Sequence, residues 1–130
     1  MSNSYRDLIA WQKAFSLVTE VYRDTEPFPK SEMYGLTSQV RRAAVSVVSN
    51  IAEGQGRNSR GEFDQFLGHA KGSLSELETQ LLIANALGYL PGNRLEELLA
   101  RCDAVSRLIN GLMQSLRGAK ASAEKRETKN

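Results

Sequence analysis

Apolar residues recur in steps of three and four over four separate stretches of this chain, the spacing of one face of an α-helix. In the first stretch they are Leu8, Trp11, Phe15, Val18 and Tyr22. Pro27 and Pro29 then break the pattern. The second stripe is Leu36, Val40, Ala43, Val47 and Ile51, followed by a loop expected at Gly54, Gly56 and Asn58. Ser59 and Glu62 have the spacing of a capping box, which predicts the third helix start. Its stripe is Phe63, Phe66/Leu67, Ala70, Leu74, Leu77, Leu81 and Ala84, ending at Gly88. A turn at Leu90–Asn93, with Asn93 as N-cap, leads to Leu95, Leu98, Cys102, Val105, Ile109, Leu112 and Leu116, a nearly unbroken heptad seam.

These stripes predict helices over about 5–25, 32–54, 60–87 and 93–117. Short connections favour antiparallel neighbours, so the expected fold is all-α, an up-down-up-down four-helix bundle spanning 1–118. No repeat of about 30–45 residues supports an extended helical array instead. Residues 119–130 lack a stripe and are expected to form a flexible charged tail.

Helix two carries more apolar circumference than one core needs, because Ala44, Val45, Val48 and Ala52 point away from its stripe at roughly 100° per residue. Helix three sets small residues opposite its leucines: Gly61, Gly68, Gly72, Ser75 and Thr79. A mid-helix glycine costs about 1 kcal/mol relative to alanine, so the close approach of another backbone is expected there, a locally flexible exposed face being the alternative. Ala44, Val45, Val48, Ala52, Gly68, Gly72 and Ser75 are therefore the candidate subunit contacts. A polar line on helix two, Gln39, Arg42, Ser46, Asn50 and Glu53, reads either as a hydrogen-bonded seam or as the wall of a groove.

Composition adds limits. The 130 residues suit one domain, 41% are hydrophobic and 7% aromatic, and the net charge is +2. The segment after Gly118 carries all of that charge, so a nucleic-acid site in the bundle has to be local. Cys102 is the lone cysteine, which suits a reducing cytoplasm. No stretch nears the roughly 18 apolar residues of a membrane span, and no signal-peptide core precedes the bundle.

Catalytic patterns are missing. His69 is the single histidine and lies mid-helix without a nucleophile motif. Phe66 stands three residues before it, so no Glu-x-x-His di-iron unit exists. One Cys and one His are too few for zinc, and Gly54-Gln55-Gly56 lacks the Gly-Lys-Ser/Thr of a P-loop. No enzyme, metal or cofactor is expected.

The run from Gln39 to Gly54, QVRRAAVSVVSNIAEG, closely resembles the 23S rRNA intervening-sequence proteins, a family of small bacterial four-helix proteins. Leu8–Ala14 (LIAWQKA), Phe28-Pro29, Glu32–Leu36 (EMYGL), Phe63, Phe66-Leu67, Ala70–Ser73 (AKGS) and Glu76–Thr79 (ELET) fit the same family, in order, from about Tyr5 to Leu116. The resemblance implies a homopentamer with a central channel and no established catalytic residues. A related branch, the accessory protein of diversity-generating retroelements, is a basic pentamer that binds nucleic acid and reverse transcriptase, and this near-neutral bundle departs from it in charge. Two functions follow as expectations. One is a scaffold for RNA or DNA, contacted through Arg41, Arg42, Arg57, Arg60 and Lys71; the other is an assembly module whose partner is another protein.

Overall fold

The computed structural model describes residues 4–128, with side chains through Gly118. Four helices fill it: α1 (Ile9–Thr25), α2 (Leu36–Gln55), α3 (Arg60–Ala86) and α4 (Gly92–Thr128). Short 3-10 turns at Tyr5–Asp7 and Lys30–Glu32 precede α1 and α2. The backbone of α4 continues as helix to Thr128, past the end expected near 117, so the flexible tail expected over 119–130 begins as helix; its side chains lie outside the described residues.

Side-chain ties fix the up-down-up-down order. The Arg41 Nε on α2 donates to Thr25 Oγ1 at the end of α1, 2.9 Å away. Ser46 and Ser73 join α2 to α3 through their hydroxyls at 2.7 Å. Arg117 near the end of α4 reaches Asp64 near the start of α3 at 3.3 Å. At the start of α4, Arg94 forks onto Asp24 at 2.9 Å and Glu20 at 3.2 Å near the end of α1. Each helix thus packs antiparallel to its chain neighbours, α1 also to α4, and among the described residues the backbones of diagonal helices stay more than 8 Å apart.

The core takes one stripe from each helix. Val40, Val47 and Ile51 of α2, Leu67, Leu77 and Leu81 of α3, and Leu98, Cys102 and Ile109 of α4 are fully buried, as their periodicity predicts. Helix α1 differs. It buries Ala10, Ala14, Leu17 and Val21, each one residue before the expected Trp11, Phe15, Val18 and Tyr22. The helix is turned about 100° from the orientation its largest residues suggest. Small Ala10 and Ala14 let α1 approach closely, and the bulky residues are displaced onto its α2 side.

Three boundaries also move. Helix α2 begins at Leu36 rather than near 32, because Pro29 starts a 3-10 turn and Gly35 takes the N-cap position without a side chain. Glu32 supplies the missing acceptor: its Oε1 takes the Leu36 N–H at 3.4 Å, while its Oε2 accepts from the Tyr89 hydroxyl at 3.1 Å. That hydrogen bond, then burial, raises the Tyr89 pKa above its ordinary value. Gly54, expected in a loop, lies inside α2 and is buried. A Cβ there would come within 2.8 Å of Phe66 Cβ and 2.9 Å of the Phe63 ring, so glycine is what lets α3 cross. Asn93, expected as an N-cap, sits in the first turn of α4; the Pro91 carbonyl accepts from Arg94 and Leu95 at 3.0 and 2.9 Å. Ser59 caps α3 as its spacing predicts, accepting the Glu62 N–H at 3.1 Å. Gly88 closes α3 with a φ of 81°, a left-handed turn that favours glycine.

Candidate assembly and nucleic-acid surfaces

The polar line of α2 divides. Ser46 bonds Ser73, and the Asn50 amide donates to the Ser46 carbonyl at 2.8 Å and its hydroxyl at 3.1 Å. These half-buried groups form a seam between α2 and α3 within one protomer. Gln39 and Arg42 are exposed instead and line an open cleft of about 310 Å³ with Ala43, Ser46 and Glu76. Glu53 is exposed and pairs with Arg57 at 3.0 Å. Both readings of the line therefore apply, to different residues.

The five candidate cations do not converge. Arg41 faces α1, where it also donates to the Tyr22 carbonyl at 3.4 Å and lies 4.6 Å from the Tyr22 ring centre. It closes the end of α1, because a guanidinium suits the partial negative charge of free carbonyls. Arg42, one residue on, points to the α2–α3 cleft. Arg57 and Arg60 sit at the α2–α3 turn, about 20 Å along the bundle from Arg41 at 1.5 Å per residue. Lys71 is half-buried on α3. Among the described residues, Arg42, Arg60 and Lys71 have no ion pair. Arg57 stacks over the Phe66 ring at 4.6 Å.

The apolar candidates also separate. Ala44 is fully buried in its own protomer and is not free for a subunit contact. Its neighbours in the core leave no second surface at that position. Val45 is 39% exposed, and Val48 and Ala52 are half-buried. Gly68, Gly72 and Ser75 are exposed on α3, and a Cβ on either glycine would meet nothing within 4 Å. No part of the same chain comes close there.

Helix α1 completes the Val45 face. The Tyr22–Arg41 contact sets the register of α1 against α2. From Tyr22, steps of seven and four lead back to Phe15 and Trp11; from Arg41, steps of four, three and four lead on to Val45, Val48 and Ala52. Helical spacing keeps each set in one column, so the two columns run side by side. Phe15 is 52% exposed and Tyr22 43%. Tyr5, Trp11 and Phe15 form an aromatic chain with centroid separations of 5.4 and 5.1 Å. Sequence reasoning placed Trp11, Phe15 and Tyr22 in the core, although the apolar arc test used on helix two, applied to Ala10, Ala14, Leu17 and Val21, finds the second face. Met33 and Tyr34 before α2, Ile83 on α3 and Leu87 just past its end are also exposed.

Catalytic chemistry is not assembled among the described residues. His69 is exposed and meets Phe66 edge-on at 5.6 Å. The Cys102 thiol is pushed up to about 12, first by burial and then by the charge of Glu78, so it stays protonated at neutral pH. No group of three metal-ligating side chains occurs among the described residues. No described helix is long and apolar enough to cross a membrane.

Fold and surface thus define a small antiparallel helical bundle whose conspicuous feature is uncovered apolar area. The family model of the 23S rRNA-intervening sequence protein matches residues 6–111, and the chain belongs to that family. A crystal structure of a protein of unknown function from the S23 ribosomal protein family of Bacteroides thetaiotaomicron VPI-5482 has a similar fold. Its TM-score is 0.73 at 18% identity, over 81% of this chain and 98% of that one. No curated protein matches the chain in sequence.

Proposed function

We propose that this protein is a non-enzymatic cytoplasmic scaffold that assembles from several copies of itself and contacts RNA or DNA through cations at its surface. The observation that carries the reading is the strip of Trp11, Phe15, Tyr22, Val45, Val48 and Ala52 across α1 and α2. Contiguous apolar surface of this kind marks an interface, since a lone protein gains by covering it. Five subunits is the number that family resemblance implies. Assembly also bears on nucleic-acid contact, because each copy adds its Arg42, Arg57, Arg60 and Lys71 to one particle, and weak sites sum by avidity.

Sedimentation velocity on the full chain tests the assembly. The wild type is expected to sediment as an oligomer, and Phe15→Glu with Val45→Asp as a helical monomer, because buried unpaired carboxylates are costly. A wild type that stays monomeric at working concentration refutes the reading. Val45 and Phe15 are better probes than half-buried Val48, whose substitution also disturbs the protomer. An assembly module with a protein partner and no nucleic-acid role is the second reading. Arg41, engaged by Thr25 and Tyr22 at the α1–α2 contact, favours it by removing one of the five candidate cations.

A further inference from the structure

The α2–α3 turn holds a side-chain arrangement that core packing does not require. Phe66 is half-buried and fixed from below, where Gly54 packs against it and Phe63 with no room for a Cβ. Arg57 lies over this ring at 4.6 Å, and its Nη2 reaches Glu53 Oε1 at 3.0 Å. The Arg57 side chain is nevertheless 42% exposed. The guanidinium thus sits over the ring with one nitrogen held by a carboxylate, while much of the side chain stays open to solvent. His69 meets the same ring from its own helix, and exposed Arg60 follows three residues after Arg57 without an ion pair among the described residues.

We propose that Arg57, backed by Phe66, is a stacking platform for one unpaired base of a single-stranded nucleic acid, with Arg60 holding the adjacent phosphate. A guanidinium is planar and weakly hydrated, so it stacks on a flat π-surface where a lysine ammonium does not. Every base has such a face, which makes the platform tolerant of sequence. A duplex offers no free base face except at its ends, so single strands are preferred over duplexes of equal length. The inference rests on the nucleic-acid part of the proposed function and narrows it to one strand type and one end of the bundle.

Fluorescence anisotropy with a labelled twelve-nucleotide adenine RNA and a duplex of the same length, at low salt, tests it on the full chain. Arg57→Lys keeps the charge and loses the plane; Phe66→Leu keeps the apolar packing and loses the ring. Arg57→Lys is expected to weaken single-strand binding about tenfold, the scale of one stacked base, and to leave duplex binding unchanged. Phe66→Leu follows it. Arg60→Gln is expected to flatten the salt dependence by about one phosphate contact. Single-strand affinity unchanged in Arg57→Lys overturns the platform, as does equal affinity for both strand types. Nucleic-acid contact itself survives those two results and falls only if neither probe is retained.

Discussion

The two contacts made by α2 are built on different principles. Against α3 it closes tightly from its middle to its C-terminal end: Gly54 admits the Phe63 and Phe66 side chains at a distance no other residue allows, and Ser46 bonds both Ser73 and Asn50. Against α1 it is anchored at one end by Arg41 and then leaves Phe15, Tyr22 and Val45 facing outward. A finished contact and an unfinished one on the same helix locate where the protomer ends as a folding unit and where it begins as a building block.

The largest effect is expected from Gly54→Val. With Phe66 Cβ at 2.8 Å from the first added carbon, overpacking should cost about 3 kcal/mol, read from the midpoint of urea unfolding. A loss under about 0.5 kcal/mol would mean that α2 and α3 are not pressed together there. Arg41→Gln acts on the other contact. It removes the charged bonds to Thr25, Tyr22 and Glu26, for an expected loss of about 1.5 kcal/mol in the same assay. Gly72→Ala is the smallest change and the most informative in sign. On an open helix face it should stabilise by roughly 0.8 kcal/mol through helix propensity. If a neighbouring copy occupies that face, the added methyl instead weakens assembly in sedimentation.

Much of this was legible beforehand. The stripes of α2, α3 and α4, the Ser59 cap and the Gly88 stop followed from spacing and backbone chemistry. The rotation of α1 did not, because its apolar arc is wide and the large aromatics in it outweigh two alanines in any reading by size. Close helix approach rewards the alanines. The start of α2 was misjudged because its capping oxygen comes from Glu32, four residues upstream of the Leu36 amide, and not from the residue at the cap. On the surface, Ser46 and Asn50 were legible as a seam. The split between Arg41 and Arg42 was not: adjacent residues point about 100° apart, and only the placement of α1 and α3 decides which one becomes internal. Phe66 was read as an alternative core residue, yet the partner that gives it a surface role, Arg57, lies across the turn.

Glu32 has one further effect. Its two carboxylate oxygens hold the opening of α2 and, through Tyr89, the reversal between α3 and α4. One side chain thus links the two chain reversals at that pole, the second of which the Asn85 amide also holds by donating to the Leu90 carbonyl at 2.8 Å. The opposite pole, where the chain turns from α2 into α3, is held instead by the packing of Phe63 and Phe66 on Gly54 and by the Arg57–Glu53 pair.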